Sequence, residues 1–121
     1  MEVRHRSWFT DAFFGLLAEQ SVALVLHDLH DMPRLDRLTA DFTAIRLLGR
    51  RADVPEEPFD RVRINRNREI AGWAERIRRY RSAGASSFAY ANNRYQGHAP
   101  GTVRSLLAAL GSSAPAGPPP A

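Results

Sequence analysis

An α/β fold, a parallel sheet with crossover helices, is what this sequence predicts, and three observations carry the prediction. Apolar runs of strand length alternate with stretches of helical periodicity, in the order strand, helix, strand, excursion, strand, helix, strand, helix. The runs "SVALVLH" and "FTAIRLLG" are nearly continuous in Val, Leu, Ile and Phe, the signature of strands covered on both faces. Polar segments with Pro, Gly and Asn separate the elements.

The elements follow in order. "EVRH" (2–5) is short and strand-like. The next helix repeats Phe9, Phe13, Leu17 and Ala12, Leu16 at helical spacing, with Thr10 as cap and Asp11 in the first turn. Residues 21–27 form the second strand, and Pro33 marks the loop that follows. Residues 42–49 form the third strand, ended by Gly49, before a long polar excursion over the surface. Ile70, Trp73, Ala74, Ile77 and Tyr80 make one apolar stripe on a helix, capped by Asn67 and stopped by Gly84. Residues 86–92 form a fourth strand, and "NNRYQGHAPG" a polar turn. Val103, Leu106, Leu107 and Leu110 face inward on a last helix that Gly111 ends. One domain over residues 1–111 is expected, with 112–121 a disordered tail of Ala, Pro, Gly and Ser.

Composition narrows the function classes. The 121 residues suffice for one small core and are too few for two. Without cysteine there is no disulfide, thiolate metal site or cysteine nucleophile. The charged start "MEVRHRSWF" does not read as a secretory signal, and no apolar run reaches membrane-spanning length, so a soluble cytoplasmic protein without a membrane partner is expected. All 17 basic residues are arginine and the net charge is +4, which suggests nucleic acid. Abundant Ala, Gly and Pro point instead to GC-rich codon usage, and Arg76 and Arg79 lie off the apolar stripe on a solvated face. Nucleic acid is therefore a partner the sequence permits without favouring.

Ligands of parallel α/β folds bind at the carboxyl ends of strands, where loops are free to vary. Alternation along the strands groups Glu2 with Arg4, Leu24 and Leu26 with Asp28, Ala44 with Arg46, and Phe88 and Tyr90 with Asn92. If those faces all point inward, Arg4, Asp28, Arg46 and Asn92 converge at the mouth. Two arginines there suit a bidentate grip on a carboxylate or phosphate. The competing reading is an ion-pair network in which Glu2 and Asp28 neutralise Arg4 and Arg46 and nothing binds. The stretch "VLHDLHDMP" (25–33) looks like metal chemistry, but His27 and Asp28 face opposite ways on a strand, and Pro33 leaves little room for the helix that His27 and His30 would need. No metal and no cofactor is expected; His27, His30 and Asp31 read as loop. No phosphate-binding glycine loop or catalytic triad is present.

Four segments in register, "EVRHRSWF", "VALVLHD", "TADFTAIRLLGR" and "YANNRYQGHAP" followed by a leucine-rich helix, resemble the carboxyl-terminal half of the YecE-like family, domain of unknown function 72. The resemblance runs from Glu2 to about Leu110 and implies a partial TIM-like β/α barrel of about four strands, with no established biochemical function. It carries the family's charged strand onto Glu2, Arg4, His5, Ser7 and Trp8, its strand-end aspartate onto Asp28, and its arginine and glycine onto Arg46 and Gly49. The asparagine pair and turn fall on Asn92, Asn93, Gly97 and Ala99. Implied ligand residues are thus Arg4, Asp28, Arg46, Asn92 and Asn93, supported by Glu2, His5, Trp8, Gly49 and Gly97. The chain departs from the family at Ala44 and Leu48, where an aromatic residue and a histidine are usual. It also falls short of the about 250 residues of a full barrel, so its edge strands would be open. A small anionic ligand, and self-association or pairing with a missing amino-terminal half, are the expected partners. A DNA-processing barrel module and a non-functional fragment are the alternatives.

Overall fold

The structure, a computed structural model, describes residues 1–111. The expected tail, 112–121, lies outside the described residues. A 3-10 turn (Arg6–Trp8) leads into α1 (Asp11–Glu19), β1 (Val25–Asp28), β2 (Phe42–Leu47), α2 (Asn67–Ser82), β3 (Ser86–Ala91), a short α3 (Asn93–Gln96) and α4 (Ala99–Ala109). The strands form one parallel sheet in the order β1, β2, β3.

Among the described residues three strands stand where four were expected. At the start of the chain only Met1 pairs, its ammonium donating to the Ala23 carbonyl at 2.6 Å and its carbonyl accepting from the Val25 amide at 2.8 Å. The backbone then bends at Arg4 and His5 into the 3-10 turn, whose second amide, that of Ser7, is held by His5 Nδ1 at 3.2 Å. A side chain that caps a turn competes with the strand ladder, and here the turn wins.

Helix signals are obeyed more closely. Thr10 Oγ1 accepts from the Phe13 amide at 3.1 Å, and Asp11 sits in the first turn of α1. All five residues of the α2 stripe are buried. Its start differs: Arg66 occupies the cap position, and Asn65 rather than Asn67 supplies the oxygen, accepting the Asn67 amide at 2.9 Å. In α4 the buried positions are Thr102 and Leu106, while Val103 is exposed. The "NNRYQG" segment is helical rather than a turn, and it buries Tyr95 completely.

In parallel strands, paired residues share a face, so the register fixes the two sides of the sheet. Leu26, Asp28, Ile45, Leu47, Ala89 and Ala91 lie on one side. This side packs into a core with Phe14, Leu17, Ile70, Trp73, Ile77, Tyr80, Tyr95 and Leu106, so the helices cover it. The other side carries Val25, His27, Phe42, Ala44, Arg46, Phe88 and Tyr90. There Phe88 is 51% and Tyr90 60% exposed, and Phe42 meets Phe88 edge-on at 6.4 Å.

The excursion between β2 and α2 is tied down rather than free. Val54 is fully buried, Arg94 Nη1 donates to its carbonyl at 2.6 Å, and the Gln96 carbonyl accepts from the Arg63 amide at 2.6 Å. Gly49 permits this closure: its φ is +68°, and a Cβ there would lie 2.6 Å from the Arg94 carbonyl oxygen. Gly49→Ala is expected to destabilise the fold by about 2 kcal/mol or more, through left-handed strain plus a backbone clash. Urea unfolding measures it, and an unchanged midpoint would contradict the packing described.

Candidate ligand-binding site

Asp28, the last residue of β1, lies on the helix side of the sheet, paired with Leu47. Its Oδ2 accepts from Trp73 Nε1 of α2 at 3.0 Å and from the Tyr95 hydroxyl of α3 at 2.6 Å, while Oδ1 accepts from Arg34 Nε at 3.1 Å. A buried carboxylate is costly unless donors surround it, and these three provide that environment. Burial, and then the bond to Asp28, push the Tyr95 phenol well above its usual range, so it stays a donor.

Arg46 projects from the opposite side, in register with His27 and Tyr90. Asp28 and Arg46 therefore do not converge, and the expected four-residue cluster divides across the sheet. On the Arg46 side Glu2 is the hub. Its Oε1 accepts from Arg46 Nη1 at 2.6 Å and from His27 Nε2 at 3.0 Å, and Arg4 Nη2 lies 3.3 Å away. Burial opposes the ionisation of Glu2, but the bonds from Arg46 and His27 and the charges of Arg4 and Arg46 outweigh it, and the carboxyl titrates below its usual range. Burial also lowers His27, with Arg4 and Arg46 adding to the effect and Glu2 opposing it. A neutral imidazole facing a carboxylate must carry its proton on Nε2, the tautomer that donates.

His27, the end of the strand expected over 21–27 but grouped with the loop residues His30 and Asp31 for want of a role, lies within β1, 2% exposed beneath Glu2. The signal that would have found it is the apolar content of the two faces. Leu24 and Leu26 must seek the same helix layer as Ile45 and Leu47, which carries Asp28 with them and sends His27 to the side of Arg46.

The remaining predicted residues serve local structure. Asn92 Oδ1 accepts from the Arg94 amide at 2.8 Å, capping α3, and Asn93 Oδ1 accepts from the Ala99 amide at 2.8 Å, at the start of α4. His5 caps the 3-10 turn, and Trp8 packs on Phe13 with ring centroids 5.6 Å apart. Gly97 has φ +108°, and a Cβ there would lie 2.7 Å from the Arg61 carbonyl oxygen. Many arginines are likewise engaged: Arg79 with Asp36, Arg78 with the Ala109 carbonyl, Arg63 with the Glu56 and Pro58 carbonyls, and Arg76 over the Trp73 ring. Among the described residues, no three His, Asp or Glu side chains come together as metal ligands.

The profile of a family described as "Protein of unknown function DUF72" matches residues 1–121. The chain belongs to the DUF72 family. A DUF72 protein from Thermotoga maritima is similar in structure, with a TM-score of 0.70 at 20% identity, over 90% of this chain and 44% of that one. Two crystal structures of a DUF72 protein from Enterococcus faecalis give TM-scores of 0.71 and 0.72 at 20% and 19% identity. They cover 93% and 99% of this chain and 48% and 50% of theirs. At such identity the likeness is one of fold. No curated protein matches the chain. This DUF72 chain thus spans about half the length of the solved relatives. No helix among the described residues is long and apolar enough to cross a membrane.

Two outcomes follow for the DUF72 chain. Asp28→Ala leaves the Trp73 N–H and the Tyr95 hydroxyl buried without their acceptor and is expected to cost about 3–5 kcal/mol, against about 1 for Tyr95→Phe. Equal midpoints in denaturant for Asp28→Ala and wild type would refute Asp28 as the acceptor that joins β1 to α2 and α3. His27 and Glu2 both titrate lower when folded, so the folded state binds fewer protons and stability rises with pH. The His27 contribution is complete above its ordinary 6.5 and is lost as pH falls below it, and that of Glu2 is lost below its ordinary 4.5. His27→Gln should flatten the stability profile between about pH 7 and 5, and a profile identical to wild type would remove His27 from the account.

Proposed function

We propose that this DUF72 chain is one half of a TIM-like β/α barrel and that the side of its sheet bearing Arg46 holds a small anionic ligand at the carboxyl ends of the strands. The observation that carries this reading is the row His27, Arg46 and Tyr90, in register across all three strands on the side away from the helices. A β/α barrel turns that side of each strand toward its interior and the helices outward. The exposed Phe88 and Tyr90 suit such an interior, and coverage of about half of each solved relative suits a half-barrel. The strands that complete it correspond to the part of those relatives that this chain does not cover.

Arg46 and Arg4 give the site its sign. Glu2 neutralises one of the two guanidiniums, and the neutral His27 adds no charge, so a positive excess remains for a carboxylate or phosphate. Glu2 Oε1 sits where one oxygen of such a ligand would sit, and it keeps both arginines aimed into the site. Tyr90, next to Arg46, supplies an apolar wall with a hydroxyl at its end.

The chain mixed with the uncovered half of a solved relative is expected to form a one-to-one complex on size exclusion. Phe88→Asp should abolish that complex while preserving the far-UV spectrum. In that complex, a thermal-shift screen of phosphorylated and carboxylated metabolites should find stabilising anions whose effect is lost in Arg46→Ala. The ligand assignment fails if the anion response survives that substitution.

A further inference from the structure

Away from the Arg46 side, the loops that leave β1 and β2 enclose a second hollow of about 390 Å³, bounded by Asp28, His30, Arg34, Arg50, Asp53 and Arg66. Three guanidiniums share it with two carboxylates. Asp53 holds two of them: its Oδ1 accepts from Arg50 Nη2 at 2.9 Å, and its Oδ2 accepts from Arg66 Nη2 at 3.1 Å. The Arg50 hydrogen bond is the main reason the Asp53 carboxyl titrates below its usual range. Asp28 gives Arg34 one oxygen and commits the other to Trp73 and Tyr95. One positive charge is left without a counter-ion inside the hollow.

The donors are also positioned. Arg66 is fixed by its Nε bond to the Tyr95 carbonyl at 2.5 Å and by lying over the Tyr95 ring at 4.9 Å. Arg34, by contrast, gives only its Nε–H to Asp28 among the described residues, which leaves both Nη groups for another acceptor. Arg50 Nη1 faces His30 Nε2 at 3.2 Å; a guanidinium can only donate, so the ring nitrogen accepts. Cations therefore approach from the loop after β1, the loop after β2 and the start of α2. A planar carboxylate presents two oxygens and satisfies one such fork, whereas a tetrahedral phosphate presents several oxygens and up to two charges.

We infer that this hollow, formed where Arg34, Arg50 and Arg66 meet at the carboxyl ends of β1 and β2, is a second anion site that takes the phosphate of a small phosphorylated molecule. The rest of the molecule has a place to lie. Arg34 also bounds a groove of about 370 Å³ along α2, where Gly72 leaves open space and Arg34, Arg68 and Arg76 outnumber the single carboxylate, Glu69. The site shares no lining residue with the row of His27, Arg46 and Tyr90.

Titration of the full chain with inorganic phosphate at constant ionic strength, followed by ³¹P NMR, tests the assignment, with acetate as the planar comparison. Saturable phosphate binding is expected, and acetate should bind more weakly. Arg34→Gln and Arg50→Gln should each raise the dissociation constant about tenfold, as loss of a charge-assisted hydrogen bond does. Arg104→Gln, which removes the same charge from α4, should leave it unchanged, and far-UV spectra check that each variant is folded. The inference is overturned by absence of saturable binding, by acetate binding as tightly as phosphate, or by constants unmoved in both Arg34→Gln and Arg50→Gln. Loss of binding in Arg46→Gln would overturn it too, by moving the phosphate to the other side of the sheet.

Discussion

The buried carboxylate of Asp28 sets the geometry on which everything else rests. β1 has four residues, too few for its ladder alone to fix how the strand sits against the helices. Asp28 supplies the missing restraint by accepting from Trp73 in α2, Tyr95 in α3 and Arg34 in the following loop. Its carbonyl also receives the Leu48 and Gly49 amides at 3.1 and 3.3 Å, which brings the end of β2 to the same point. A carboxylate so placed is stable only with its donors intact, so sheet, helices and loops are held in one arrangement.

Once Asp28 faces the helices, alternation sends its neighbour His27 to the other side, beneath Glu2 and beside Arg46. The two adjacent residues therefore belong to two different sites. His27 donates to Glu2 in the row of Arg46 that is proposed to hold an anion, and Asp28 orients Arg34 at the rim of the loop hollow. What reads in "VLHDLHDMP" as one metal-like cluster is a strand end serving both sides of a sheet, with His30 joining the hollow through Arg50. Membership of the DUF72 family, and a length about half that of the solved relatives, agree with a sheet that has helices on one side and exposed aromatics on the other.

Much of this was legible in the sequence where a single element decides the outcome. The α2 stripe, the Thr10 cap and three strands follow from local periodicity and hydrogen-bonding chemistry, and the structure keeps them. Features that depend on two elements were not. The strand expected over residues 2–5 shrinks to the pairing of Met1, because the His5 side chain stabilises a turn instead. The meeting of Asp28 with Arg46 failed because parity orders residues within a strand but does not say which faces of two strands match. The buried Leu24, Leu26, Ile45 and Leu47 decide that. Tyr95 was hidden in a polar stretch whose helical turn forms because Asn92 caps it, and the phenol is buried by the Asp28 carboxylate it serves.

The sidedness of the sheet is the central claim, and the absence of cysteine makes it directly measurable. Single cysteines at Tyr90→Cys and Thr43→Cys place a thiol on each side of adjacent strands, at positions 60% and 1% exposed. Under native conditions the Tyr90→Cys thiol should react with a maleimide at close to the rate of a free thiol. The Thr43→Cys thiol should react at least about a hundredfold more slowly, since it needs local opening of the core. Comparable rates at the two positions, or protection of Tyr90→Cys in the isolated chain, would contradict a sheet covered by helices on the Asp28 side and open on the side of Arg46.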